Sequence, residues 1–207
     1  FLGIALGVAT LIIVLSVMNG FKEELLNRIL GVNGHINVYT NYSDIKDPKT
    51  ILNKIKNLSG IENLSPIIES QVMASASGSS FGALVQGLNP KDLKTRTLLV
   101  NNLVSGKLYE KNESANIVIG KRLAQKLRID VGDVVTLIST KTTATAFGNL
   151  PRVKSFKVLG TFNVGMYEYD SSFIYMPMKT AQNFFKLPDS ASSIEIFLSD
   201  PNDVSEI

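Results

Sequence analysis

Apolar positions are concentrated at the start of the chain. Residues 1–20, FLGIALGVATLIIVLSVMNG, hold no charged side chain, and the first charge is Lys22. About twenty residues at 1.5 Å rise span roughly 30 Å, the thickness of a bilayer core. A signal peptide would have a basic leader and a shorter apolar run, so the pattern predicts a transmembrane helix. A chain that opens on Phe1 without an initiator Met reads as a piece of a longer protein, beginning within that helix or near its start. Beyond Gly20 the pattern turns amphipathic. Phe21, Leu25, Leu26, Ile29 and Leu30 recur at helical spacing between Lys22, Glu23, Asn27 and Arg28. Gly31 offers a C-cap. One helix over residues 1–31 is therefore expected to leave the membrane and continue above it as a stalk.

The remaining pattern predicts an α+β fold. HINVYT at 35–40 alternates like a strand. Asp47-Pro48 opens a helix through Ile51, Leu52 and Ile55, with Gly60 beyond its end. Residues 70–76 and 81–87 flank Ser-Gly-Ser-Ser and read as a hairpin. Pro90 starts a short helix, and 117–119 is a short buried strand. GKRLAQKL, at 120–127, is a helix with Leu123, Ala124 and Leu127 on one face. Strands are expected at 134–138, 153–162, 173–176 and 193–198, with a helix at 178–185. Strands and short helices without strict alternation argue against a doubly wound sheet.

Composition removes most chemistry. The 207 residues include no Cys and one His, and 21 Lys plus Arg against 18 Asp plus Glu give a net charge of +3. Disulfide scaffolds, zinc fingers and a cysteine nucleophile are excluded, and no nucleic-acid signal stands out. A phosphate-binding loop needs G-x-x-x-x-G-K-[ST]. Gly106-Lys107 and Gly120-Lys121 lack both the earlier Gly and the following Ser or Thr. His35, just past the stalk, reads as a turn or cap residue. Glu168 and Asp170 are a close carboxylate pair in GMYEYDSS, and they read as a structural pair in a loop or at a sheet edge. No catalytic residue, metal ligand or cofactor is expected.

The polar stretch between two good strands, TKTTATAFGNLP at 140–151, is longer than a hairpin connection requires. Its threonines favour extended structure, Gly148-Asn149 can turn, and Pro151 blunts an edge. Lys141, Arg152, Lys154 and Lys157 surround its base. A projecting arm with an apolar tip and a basic base suits partner binding, and an ordinary long loop is the other reading.

SVMNGFKEELLNRILGVNGHI (16–36) resembles the first membrane helix of the LolC/LolE family, the permease subunits of the bacterial lipoprotein-releasing ABC transporter. VIGKRLAQKLRIDVGDVVTL (118–137), FKVLGTFNVGMYEYDSSFIYMP (156–177) and GLNP (87–90) extend the resemblance over nearly the whole chain. The resemblance implies a type VII ABC transporter subunit of the bacterial inner membrane, with residues after about 31 in the periplasm. Further membrane helices would follow Ile207. The periplasmic part would be a two-lobed MacB-like domain. A mixed α/β porter lobe would take 32–95 and be completed by 188–207, and a β-rich sabre lobe would take 96–187. A separate cytoplasmic ATPase subunit would hydrolyse ATP, and a second permease subunit, homologous or identical, would complete the pair. Together they would push a triacylated lipoprotein out of the membrane towards a periplasmic chaperone.

In the LolC-type member a hook hairpin captures the chaperone above a polar pad. The hook positions here are Ala146, Phe147, Gly148, Asn149, Leu150 and Pro151. Gly148 and Pro151 keep the family residues, whereas Phe147 replaces a Met and Ala146 a Pro. The pad falls at Thr136, Val153 and Lys154. Only Lys154 keeps the family's charge, with Arg152 beside it as a partial substitute. Val14, Met18 and Phe21 share one helix face, which the resemblance sets against the lipoprotein acyl chains. The alternative is another MacB/FtsX-like subunit, serving efflux or mechanotransmission.

Overall fold

A computed structural model describes residues 1–40, 44–112, 115–145 and 148–200. Helix α1 (Leu2–Leu30) runs unbroken for 29 residues. Its most apolar 18-residue window has a mean hydropathy of 2.3, and none of that window is buried against protein. An apolar helix without protein cover needs lipid or other helices around it.

The chain then turns through 31–33 into β1 (Ile36–Val38), β2 (Ile45–Lys46) and α2 (Pro48–Ile55). Pro48 opens α2 at a position where its missing N–H removes no helical bond. Strands β3 (Ile61–Ala76) and β4 (Ser79–Leu88) form the predicted hairpin. Its two turn residues, Ser77 and Gly78, have φ of 49° and 75°. That primed turn matches the twist of the two strands. Next come α3 (Pro90–Thr95), α4 (Thr97–Asn101), β5 (Leu103–Gly106), β6 (Asn116–Gly120) and α5 (Lys121–Leu127). After these follow β7 (Val134–Thr145), β8 (Gly148–Phe162), α6 (Tyr167–Ser172), β9 (Phe173–Pro177), α7 (Met178–Phe185), β10 (Ser190–Ala191) and β11 (Ser193–Leu198).

Strands β1, β11, β3, β4, β9, β6, β8 and β5 are hydrogen-bonded in that order, and β7 pairs with both β3 and β8. The ladder β3–β4–β9–β6–β8–β7 therefore closes on β3 and makes a small barrel. Alternate residues fill it. Ile117, Ile119, Ile174 and Met176 belong to one buried cluster with Val72, Val85, Leu137 and Phe156. Their neighbours Val118 and Tyr175 face a second cluster with Val32, Leu88, Leu93, Leu99, Tyr109 and Phe162. This is the period-two pattern of a sheet packed on both faces. Helices α5 and α7 cover the barrel through Leu123, Leu127, Phe184 and Phe185.

Strand β3 serves two neighbourhoods. Its first part pairs with β11 and its second with β4 and β7. The two expected lobes thus share this sheet: β3 and β4 precede residue 96, whereas β6 to β9 follow it.

One local expectation is corrected, and one strand boundary moves outward along arms that the threonines already favoured as extended. Glu168 and Asp170 stand neither in a loop nor at a sheet edge, because 167–172 is helix α6. Asp170 turns the chain there, accepting the Val164 N–H at 2.8 Å and the Gly165 N–H at 3.1 Å. The polar stretch after Ile138 is also strand, so β7 continues to Thr145 and β8 begins at Gly148. Cross-strand pairing carries the ladder where no apolar alternation marks it.

Candidate functional site

The β7–β8 hairpin outlasts the barrel that supports it. Pairing runs from Val134↔Lys157 to Ile138↔Val153, and resumes from Thr142↔Pro151 to Thr145↔Gly148. Between these runs β7 advances four positions and β8 two, so β7 holds two extra residues at the root. The root is tied down on both sides. Thr140 Oγ1 donates to the Gln71 carbonyl at 3.0 Å, and the Lys141 ammonium lies 4.0 Å from Asp44. Arg152 Nη1 donates to the Phe184 carbonyl at 2.9 Å, at the C-terminal end of α7. A cation there also meets the negative end of the helix dipole.

Gly148 has φ +107°, and a Cβ at this position would meet open space. The backbone, not crowding, favours glycine here. Leu150 is 51% exposed. Ala146 and Phe147 lie outside the described residues. The expected pad positions divide between two faces. Thr136 and Val153 belong to one side of the hairpin, where the Thr136 and Ser155 hydroxyls are 3.1 Å apart. Arg152 and Lys154 alternate onto the other. The Lys154 ammonium sits 5.5 Å from the Phe156 ring, and Arg152 is half-buried against α7.

Val14, Met18 and Phe21 are exposed on α1. Phe21, Leu25 and Ile29 line one wall of a cavity of about 630 Å³, and Gly165, Met166 and Tyr169 line the other. Arg28 lies over this loop, its guanidinium 2.7 Å from where a Gly165 Cβ would be. Asn33 donates to the Tyr169 hydroxyl. The face expected to meet acyl chains thus continues along α1 into a groove where the helix meets α6.

A protruding hairpin on a closed barrel, carried by a long apolar helix, is the architecture that comparison with known proteins addresses. The family model of the MacB-like periplasmic core domain matches residues 1–207. The chain belongs to that family. It is 31% identical over 96% of its length to the lipoprotein-releasing system transmembrane protein LolC of Neisseria meningitidis serogroup B, covering 48% of that protein. It is 28% identical over 97% of its length to LolE of Haemophilus influenzae, covering 49% of it. The chain thus spans about half the length of these curated relatives. The periplasmic region of MacB from Actinobacillus actinomycetemcomitans superposes with a TM-score of 0.55 at 17% identity. That match covers 86% of this chain and 80% of the other, and it shows the fold alone.

The residues that join helix and domain in this family member escaped the sequence pattern. Arg96 and Glu195 are both buried, and they pair side chain to side chain. Arg96 also donates to the Val32 carbonyl, two residues beyond the end of α1. Burial pushes the Glu195 carboxyl up, and the Arg96 guanidinium pulls it back down. Nearby, His35 Nδ1 accepts the Leu198 N–H at 3.0 Å, so the one histidine ties β1's approach to β11. Burial lowers its pKa.

Glu168 and Asp170 part company on α6. Glu168 is exposed, whereas Asp170 is buried and holds the 164–165 backbone. Burial raises the Asp170 pKa, opposed by those two backbone bonds and by Arg122. Among the described residues no group of three or more His, Asp or Glu is placed to hold a metal ion.

Proposed function

We propose that the chain is the first membrane helix and periplasmic domain of a LolC-type permease subunit in a lipoprotein-releasing ABC transporter. In this reading α1 crosses the bacterial inner membrane, and the barrel and its hairpin stand in the periplasm. A cytoplasmic ATPase subunit and a second permease subunit complete the machine, and this chain itself does no chemistry. The Val14–Met18–Phe21 face receives the acyl chains of a triacylated lipoprotein. The hairpin over 140–151, with its tip at 146–151, engages the periplasmic chaperone that takes the lipoprotein away. The lobes at 32–95 with 188–207 and at 96–187 move with the helices to which they are joined.

The observation that carries the reading is the hairpin. It runs past its barrel, is pinned at its root by Thr140 and Arg152, and its second arm opens on Gly148, which has a positive φ. A loop that merely connected two strands would need neither the extra length nor the anchors. Similarity to LolC proteins supports the same assignment. Capture of the periplasmic lipoprotein chaperone by the detergent-solubilised chain tests it. Binding that is lost when residues 143–150 are replaced by a short Gly-containing turn is the expected result. Equal binding with and without the arm refutes the hook role, and no binding by the intact chain favours the efflux or mechanotransmission alternative.

A further inference from the structure

The face formed by α5 and α6 has no part in the reading above. Arg122 and Lys126, one turn apart on α5, both approach the Tyr167 ring, with Arg122 Cζ 5.3 Å and Lys126 Nζ 5.4 Å from its centroid. Lys126 also lies 5.8 Å from the Phe81 ring on β4. Cations within about 6 Å of a ring are held there by its quadrupole; Arg122 is exposed and Lys126 half-buried. Tyr167 is 61% exposed. Among the described residues neither cation has a carboxylate within ion-pair distance; the buried Asp170 feels Arg122 electrostatically, Glu168 is the exposed carboxylate next to Tyr167, and Glu24 on α1 is bound to Arg28 at 2.7 Å.

The height of this face follows from α1. Tyr167 and Met166 line the same cavity as Phe21 and Leu25. Phe21 directly follows the uncharged run. The cavity spans from Phe21 to Ile29 along the helix, which is roughly 12 Å at 1.5 Å per residue. Tyr167, and with it the two cations on its ring, therefore stands between the end of the apolar span and about 12 Å beyond it, a range that takes in the lipid headgroup layer.

We infer that Phe81, Arg122, Lys126 and Tyr167 form a membrane-surface contact that binds the headgroups of anionic phospholipids. Tyrosine rings favour this interface because one end is apolar and the other polar. Two cations facing it complement phosphate charge. The contact sits beside the stalk and fixes how the domain leans over the bilayer. The inference rests on α1 crossing the membrane.

The chain contains no tryptophan, so Tyr167→Trp makes one fluorescent reporter in the full chain. Reconstituted into vesicles with brominated lipids, the reporter is expected to be quenched when phosphatidylglycerol is present and much less in pure phosphatidylcholine. Adding Arg122→Gln and Lys126→Gln should lower the docked-to-undocked ratio roughly 30-fold, about 1 kcal/mol per cation, and high salt should act in the same direction. Equal quenching in both lipids, or none in either, overturns the inference. Quenching that falls as the protein-to-lipid ratio rises also overturns it, because a second copy then covers the face. Carbonate extraction of the same vesicles separates the two readings. A chain that washes out refutes the membrane crossing, whereas a retained chain with an unquenched reporter refutes the headgroup contact alone.

Discussion

Replacing Arg96 by Met should unseat the joint between α1 and the domain. Arg96 is 1% exposed and Glu195 2%. Removing one partner of such a pair strands the other charge, at a typical cost of 3–5 kcal/mol. The Val32 carbonyl loses its donor as well, so about 4 kcal/mol is expected, which for a chain of this size lowers Tm by roughly 12 °C. Thermal unfolding in detergent micelles, followed by circular dichroism, reads this directly. The pH dependence has a definite sign. Burial raises the Glu195 carboxyl and Arg96 is the main opposing influence, so Arg96→Met raises it further. A carboxyl whose folded pKa lies above its unfolded value of about 4.3 favours folding below that value and loses the contribution as pH rises through the folded pKa. The variant's deficit should therefore be smallest near pH 4 and complete at neutral pH. Adding Glu195→Gln should recover most of the loss at pH 7, because the stranded charge is gone. A variant with wild-type Tm, or a deficit unchanged between acid and neutral pH, would refute the reasoning.

The two carboxylates of α6 should behave differently. Asp170→Ala leaves the Val164 and Gly165 N–H groups unpaired and should cost about 2 kcal/mol in thermal unfolding, while Glu168→Ala, at an exposed site, should stay within about 0.5 kcal/mol. Phe147→Ala should weaken chaperone binding by about 2 kcal/mol at unchanged domain stability, a usual cost for an aromatic anchor, and titration calorimetry checks it. Lys154→Ala should mainly slow association, by an amount that shrinks at high salt because exposed charges are screened. A photocrosslinker at Met18 in the intact transporter should trap lipoprotein, and adducts confined to other permease helices would count against the acyl-chain face.

Elements with a strong local signature were legible. The uncharged run of 1–20 and the apolar positions up to Leu30 announced α1. Leu123, Ala124 and Leu127 announced the buried face of α5, and Ser77-Gly78 announced its hairpin. Closure of the barrel was not legible, because alternation tells which face a residue takes and not which strand it meets. Pairing of Ala74 with Leu137 joins positions far apart in the chain, and no local pattern records it. Arg96 and Glu195 were missed for a different reason: charged residues are nearly always at the surface, and a buried pair carries no sequence mark. Helix α6 is six residues long, and Asp170 was read as half of a pair when its partners are backbone N–H groups. The hook positions came from the resemblance, since the residues alone left an arm and a loop equally open.

The two extra residues at the root of β7 set a parity rule for changing the hairpin. Side chains alternate along a strand, so shifting one arm by an odd number of positions exchanges the two faces from that point outward, whereas an even shift restores them. Ile138 to Thr142 against Val153 to Pro151 is an even slip. Lengthening or shortening both arms in steps of two should therefore preserve the side on which Leu150 is presented. A single-residue insertion between Leu150 and Arg152 would send Leu150 to the opposite side, while Arg152 stayed on the Phe184 carbonyl. Natural variation in the reach of this arm is expected to follow the same even steps, with odd ones tolerated where a bulge absorbs them.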